Sequence, residues 1–347
     1  MPNTLLATLT PMLTLFSCII IGFVLRKASI IPDEGSKVLS KVLVWVFYPA
    51  LCFSSMARFF TVQTISIHTT NLLMTTVSLS IAIGIALPLS SLFVKGKVYE
   101  LGIYRYALVF ANSGYMGDPL VQALFGEEVL SYYKLACLPI SIAIYTWGVS
   151  ILVPKDKKSG NVIKKLLNPP IVSMLLGMAV GLICGALVNT APVDSTAYDT
   201  VFPAFIVKTL DSLKSCMGPT AMILAGITVA KYDFPSLFKN KKVYIATALR
   251  LIILPSIILG ALFGIKELIN FVFGVSIDNT PVILLFFALA SPLGLNTVVF
   301  PEAYGGDPKT GASMALISHT LCVITIPLMF SLLMALFGDN TWLTLII

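Results

Sequence analysis

Residues 111–120 read Ala111-Asn112-Ser113-Gly114-Tyr115-Met116-Gly117-Asp118-Pro119-Leu120, in the middle of a segment apolar enough to span a bilayer. The stretch holds an amide, two glycines, a carboxylate and a proline. Hydrocarbon offers no water to a free N–H or C=O, so backbone that leaves the helix survives at membrane depth only where protein or a water-filled cavity satisfies it. The fold must therefore enclose this stretch. A second interruption, Ala290-Ser291-Pro292-Leu293-Gly294-Leu295-Asn296, lies in the other half of the chain. Interrupted helices at corresponding places in two halves are a pointer to the substrate site of a secondary transporter.

Composition sets the solvent. Of 347 residues, 57% are hydrophobic and 11% charged, where a soluble domain carries roughly 25% charged residues. Mean hydropathy is +0.94. The chain reads as an all-α polytopic membrane protein. Its formal charge of +7 does not point to nucleic acid, because the basic residues sit in short loops between apolar runs. Cys18, Cys52, Cys137, Cys184, Cys216 and Cys322 lie within apolar runs without metal-ligand spacing, and read as small packing residues. The first apolar run is too long for a cleavable signal peptide and has no basic region before it. Walker, H-E-x-x-H and G-x-S-x-G motifs are absent, so neither ATP drive within the chain nor hydrolytic chemistry is expected. No cofactor or metal is called for, beyond coupling to H+ or Na+.

A spanning helix needs about 20 mostly apolar residues. Ten segments qualify, near 5–25, 38–57, 69–94, 104–126, 129–153, 169–189, 205–230, 243–265, 280–301 and 310–337. The loops after the odd-numbered spans hold fifteen Lys and Arg, among them Arg26, Lys27, Lys37, the cluster over 155–165, Lys239, Lys241 and Lys242; those after the even-numbered spans hold only Arg58 and Lys266. That asymmetry places the odd loops in the cytoplasm and both termini outside. Ten spans divide into two sets of five, and an odd number makes the second set enter from the opposite side. The expected organisation is an inverted repeat over 1–153, a short basic cytoplasmic loop over 154–168 and a second repeat over 169–347. Asn112 then corresponds to Pro292 in one register, while matching Asp118-Pro119-Leu120 to Ser291-Pro292-Leu293 gives another; both stay open.

Asn112, Ser113, Gly114 and Tyr115 on the first interruption and Ser291, Pro292 and Asn296 on the second are the candidate substrate-binding residues. Asn112 offers one carbonyl acceptor and two donors, for substrate or for freed backbone. Gly114 and Gly117 permit close approach or positive φ. Gly117, Pro119 and Pro292 break the helices. Asp118 has three readings: a coupling site, since an intramembrane carboxylate is functional by default; an N-cap before a proline at the first helical position; or a substrate contact. Ser291-Pro292 shows the same cap grammar. Half-helix N-termini can hold a carboxylate without any arginine. Arg250, roughly 10 Å into its span, is expected to snorkel to the cytoplasm, with a coupling or substrate role as the alternative. His319 is expected to be a hydrogen-bonded packing residue or a proton relay. Lys134 is expected to snorkel, and Lys208, Asp211 and Lys214 to pair at the outer interface.

The chain resembles the auxin efflux carrier family in its shorter prokaryotic form, nearly end to end. The most specific part is Phe110-Ala111-Asn112-Ser113-Gly114-Tyr115-Met116-Gly117-Asp118-Pro119-Leu120, followed by Val121-Gln122-Ala123-Leu124-Phe125-Gly126-Glu127-Glu128. Tyr48-Pro49-Ala50-Leu51, Leu167-Asn168-Pro169-Pro170 and Ala290-Ser291-Pro292 with Asn296 are similar as well. The resemblance implies ten transmembrane helices as two inverted five-helix repeats, with broken crossover helices 4 and 9. It implies a scaffold of spans one, two, six and seven, a mobile transport domain, and a homodimer through the scaffold helices. It also implies carriage of small organic anions (carboxylates) by elevator-type alternating access. The chain departs from family habit at Tyr115, where plant members usually carry a second asparagine, at Asp118, usually apolar, and in its short central loop. The alternatives are an intramembrane ligand sensor or an ion channel on the same fold.

The charge asymmetry makes a direct prediction. Single cysteines placed near residues 3 and 345 should label from the outside of intact cells and not from the cytoplasm; labelling only from the cytoplasmic side contradicts the topology.

Overall fold

The computed structural model describes residues 2–32, 34–94, 98–152, 169–188, 196–231, 237–274, 277, 279–297 and 309–337. The basic cluster over 155–165, Leu167-Asn168 and the Ala303-Tyr304-Gly305-Gly306-Asp307 motif lie outside them. All regular elements among these residues are helical: α1 (Pro2–Lys27), α2 (Gly35–Val42), α3 (Tyr48–Phe59), α4 (Ile65–Ser90), α5 (Val98–Val109), α6 (Asp118–Ala136), α7 (Leu138–Ala143), α8 (Val149–Leu152), α9 (Pro169–Leu187), α10 (Ala197–Val201), α11 (Ala204–Ser215), α12 (Met217–Ala230), α13 (Lys241–Ala248), α14 (Leu254–Phe273), α15 (Thr280–Ala290) and α16 (Lys309–Phe337), with a short 3-10 turn at Val62–Thr64.

Seven helical stretches among the described residues are long and apolar enough to cross a membrane: Leu9–Lys27, Gly35–Phe59, Thr69–Ser90, Pro169–Leu187, Ala204–Ala230, Lys241–Phe273 and Lys309–Leu336. They match seven of the ten expected spans. The pair Ser113–Ala136 and Leu138–Leu152 passes the same test together, bent by 43°, and Pro281–Ala290 is a shorter apolar helix. The chain is thus a multi-pass membrane protein, and its outer surface agrees: Phe271, Phe273, Leu187 and Ile183 are exposed, as lipid-facing residues should be.

Proline shapes the spans locally. Three π turns, Leu43–Phe47, Ser113–Gly117 and Leu249–Ile253, each end two residues before a proline, Pro49, Pro119 or Pro255. Proline has no N–H and its ring crowds the carbonyl four residues back, so the helix widens by one residue to relieve the clash. Ser113–Gly117 is one of the three, so the first interruption uses a device the chain also uses elsewhere.

Two helix pairs pack at backbone distance. A Cβ added to Gly22 of α1 would strike the Ile223 carbonyl of α12, and one on Gly226 would strike the Ile19 carbonyl. On α9, Gly177 and Gly181 lie against the Phe53, Met56 and Phe60 carbonyls of α3. Lipid supplies no hydrophobic drive between helices, so small residues that allow close packing supply the contact. At one end of α3, Arg58 makes a two-pronged bond to Asp211 (2.9 and 3.0 Å) and also meets Asp199 and Glu127, both at 3.1 Å. Lys214 joins the cluster through Glu127 (2.6 Å) and Asp211 (2.9 Å). The expected Asp211–Lys214 pair is present; the partners Arg58 and Glu127 come from other helices.

The α3–α9 seam yields a contrast. Gly181→Val should lower stability by about 1–3 kcal/mol. Gly185→Val, whose added carbon meets only Thr61 side-chain atoms at 3.7 Å, should change it little. Thermal melting of the purified variants in detergent measures both, and equal losses would contradict the close-packed seam.

Candidate functional site

The two interruptions meet. Ala111 and Leu293 form an antiparallel bridge. The Asn112 N–H donates to the Pro292 carbonyl at 2.7 Å, and the Gly294 N–H reaches the Phe110 carbonyl at 3.5 Å. The Asn112 carbonyl accepts from the N–H groups of Met116 (3.1 Å) and Gly117 (3.2 Å), and the Leu293 N–H donates to the Ser318 hydroxyl at 3.2 Å. Backbone freed by each break is thus satisfied partly by the other break, partly by its own following turn and partly by Ser318. This answers the requirement posed by polar backbone at membrane depth.

Asn112 is buried and its amide meets His319 Nε2 of α16 at 3.1 Å. The other ring nitrogen lies 2.7 Å from the Ala315 carbonyl. A carbonyl only accepts, so Nδ1 bears the proton, and the neutral ring accepts from Asn112 at Nε2. That leaves the side-chain Oδ1 of Asn112 and the second N–H of its amide for another partner. His319 is thus hydrogen-bonded at both ring nitrogens, and one of the two bonds holds the Asn112 amide.

A cavity of about 70 Å³ opens beside the crossing, lined by Tyr48, Ala111, Asn112, Ser113, Gly114, Tyr115, Ser141, Ile144, Pro170, Ile171, Gly294, Leu295 and Asn296. Five candidate residues share this wall: Asn112, Ser113, Gly114, Tyr115 and Asn296. The Asn296 amide donates to the Tyr106 hydroxyl at 2.9 Å. Gly114 and Gly117 serve close approach, not positive φ: an added carbon would meet the Tyr48 hydroxyl at the first and that of Tyr133 at the second. The Tyr133 hydroxyl donates to the Ser113 carbonyl at 3.2 Å.

Ser291 and Pro292 stand at the crossing but line none of the cavities described here. The Ser291 hydroxyl donates to the Phe287 carbonyl at 2.5 Å, and the N–H groups that a cap at Ser291 would take, those of Leu293 and Gly294, go instead to the Ser318 hydroxyl and the Phe110 carbonyl. Pro119 packs against Gly218. The cap reading of Asp118 also fails. Its backbone is already helical (φ −56, ψ −55) and α6 has no side-chain cap, whereas a cap residue must stand outside helical geometry. Its carboxylate instead meets Lys134 Nζ at 2.6 Å, with side-chain exposures of 1% and 5%. Lys134 therefore does not snorkel. Gly126, at φ 80 and ψ −173, breaks α6 and returns the chain so that Lys134 lies over Asp118. Arg250 does not snorkel either: the π turn bearing it packs on α5, α15 and α16, the residue is 1% exposed, and its Nε and Nη2 have no hydrogen-bond partner. It lines none of these cavities and does not pair with Asp118.

Two further cavities flank the crossing. One of about 30 Å³ is bounded by Asp118, Lys134, Tyr48, Cys52, Ser113, Gly114, Cys137, Ser141, Pro170, Ile171 and Met174. The other, about 340 Å³ and apolar, lies between α1, α12 and α16, with His319 and Leu295 on its wall. Sequence reasoning missed Tyr48 and Pro170 as wall residues, although both stand in motifs noted above, and Ser141, which no motif marked.

The family model described as membrane transport protein matches residues 7–162 and 159–330. An uncharacterized transporter from Methanocaldococcus jannaschii is 23% identical over 326 residues, covering 89% of this chain and 94% of that one. The chain belongs to the membrane transport protein family, the family of the auxin efflux carriers.

Proposed function

We propose that this member of the membrane transport protein family is a secondary transporter of small organic anions, with carboxylates as its substrate class. The observation that carries the reading is the polar cavity at the meeting of the two interruptions, where the Asn112 side-chain Oδ1 and one amide N–H have no partner among the described residues. The cavity wall comes from three sources: the interruptions themselves, α3 with α9, and α7 with the π turn Ile144–Gly148 that follows it. Two rigid bodies that share a cavity can open it to either side by sliding. In the proposed cycle α1, α3, α9 and α12 form the scaffold, and the helices around the crossing carry the cavity past it. Ten spans in two inverted repeats, a homodimer through the scaffold, outward termini and a place in the cell membrane belong to the same proposal. Support comes from the seven spanning helices and the close seams α1–α12 and α3–α9.

Asn112→Ala tests the site. The variant should insert and fold, yet lose at least tenfold in uptake of labelled carboxylate into proteoliposomes. A buried group left unpaired costs about 1–3 kcal/mol, and one factor of ten corresponds to about 1.4 kcal/mol. Uptake kinetics equal to wild type would remove Asn112 from the site.

A further inference from the structure

The cavity holding Asp118 and Lys134 is separated from the crossing cavity only by shared walls: Tyr48, Ser113, Gly114, Ser141, Pro170 and Ile171 border both. Lys134 Nζ sits 4.0 Å above the Tyr48 ring, on the far side of that partition from Asn112. Among the described side chains, this is the one cation bordering either cavity, and one carboxylate already holds it. The pair is the smallest unit whose rearrangement could receive a second carboxylate.

We propose that Lys134 is the anion receptor of this carrier, and that Asp118 takes up a proton whenever a substrate carboxylate replaces it on Lys134. The exchange balances. The empty site holds one carboxylate and one ammonium. The loaded site holds the substrate carboxylate, the same ammonium and a protonated Asp118. One anion and one proton enter together, and the site is neutral before and after. Neutrality matters because an uncompensated charge within a membrane protein is costly, and breaking a buried pair without a replacement is strongly destabilising. An unpaired carboxylate shut away from water binds a proton for the same reason. The stoichiometry selects the substrate: a monocarboxylate moves without net charge, while a second ionised group on the substrate would leave the loaded site negative.

The surroundings offer few competing titratable groups. Tyr48 and Cys52 face the pair from α3, and Tyr133 and Cys137 from its own hairpin. Pro170, Ile171 and Met174 face it from α9, and none of them titrates. On α12, a carbon added at Gly218 would meet the Pro119 ring.

The inference rests on the carboxylate reading of the crossing cavity, and the test separates the two. Benzoate and malonate are titrated calorimetrically into purified full-length protein, at several pH values and in buffers of different ionisation enthalpy. Wild type should take up about one proton for each benzoate bound and bind it more tightly as pH falls. Asp118→Asn, fixed in a neutral state, should bind benzoate with no proton uptake and no pH dependence. Lys134→Met should lose at least tenfold in affinity. The double variant Asp118→Asn/Lys134→Met retains a neutral pair and should melt near wild type while failing to bind, which separates loss of the receptor from loss of the fold. Benzoate binding by wild type without proton uptake, or wild-type affinity in a folded variant lacking Lys134, overturns the coupling and leaves the carboxylate reading standing. Binding of neither anion by folded wild type overturns both.

Discussion

Two broken helices that repair one another are the constraint on which the rest of this structure depends. Each break exposes N–H and C=O groups that hydrocarbon cannot satisfy. The Ala111–Leu293 bridge and the bond from Asn112 to the Pro292 carbonyl settle part of that demand between two segments far apart in the chain. Each break therefore leans on the other for part of its backbone hydrogen bonding. From one side, the Ser318 hydroxyl of α16 takes the Leu293 N–H, and the neighbouring His319 ring takes the Asn112 side-chain amide. On the other side the crossing is left open, and the polar cavity lies there.

That asymmetry has chemical consequences. The space toward α1 and α12 is apolar, while the space toward α3 and α9 is lined by hydroxyls and amides. Asn112 stands between them, its orientation fixed by a neutral His319 that cannot release it without losing a buried hydrogen bond. Beyond the Tyr48 ring lies the Asp118–Lys134 pair, built by the Gly126 reversal rather than by helical spacing. Polarity thus increases in steps from the lipid-like cavity through the amide to the ion pair.

Much of this was legible in the sequence, and the unreadable parts share a cause. Gly114, Gly117, Asp118 and Pro119 within an apolar run marked a break, and Asn112 within it stands where that break bonds to the second one. The apolar runs marked seven of the spans. What failed were readings that carried helix grammar across the break. Asp118 before Pro119 resembles a cap, but a π turn precedes it and the backbone there is already helical. Lys134 resembles a snorkelling residue if depth is counted along a straight helix, yet Gly126 turns the chain and lays it on a carboxylate 16 residues away. The partner of Asn112 lies 207 residues away on α16, a distance at which a single sequence read alone offers no pairing signal. Arg250 is the reverse case: visible as an intramembrane cation, it is buried among helices without a hydrogen-bond partner for Nε or Nη2.

The central claim is that the meeting of the two interruptions forms a binding site for carboxylates in the folded carrier. Thermal melting of purified protein across a panel of mono- and dicarboxylates, with and without sodium, tests it most directly. A ligand that binds only the folded state raises apparent stability by about 2.7 kcal/mol at one hundred times its dissociation constant. The account predicts that at least one carboxylate raises the melting temperature of wild type in a concentration-dependent way, and that the rise is absent in Asn112→Ala. A panel in which no carboxylate shifts wild type, or in which Asn112→Ala shifts equally, would contradict it.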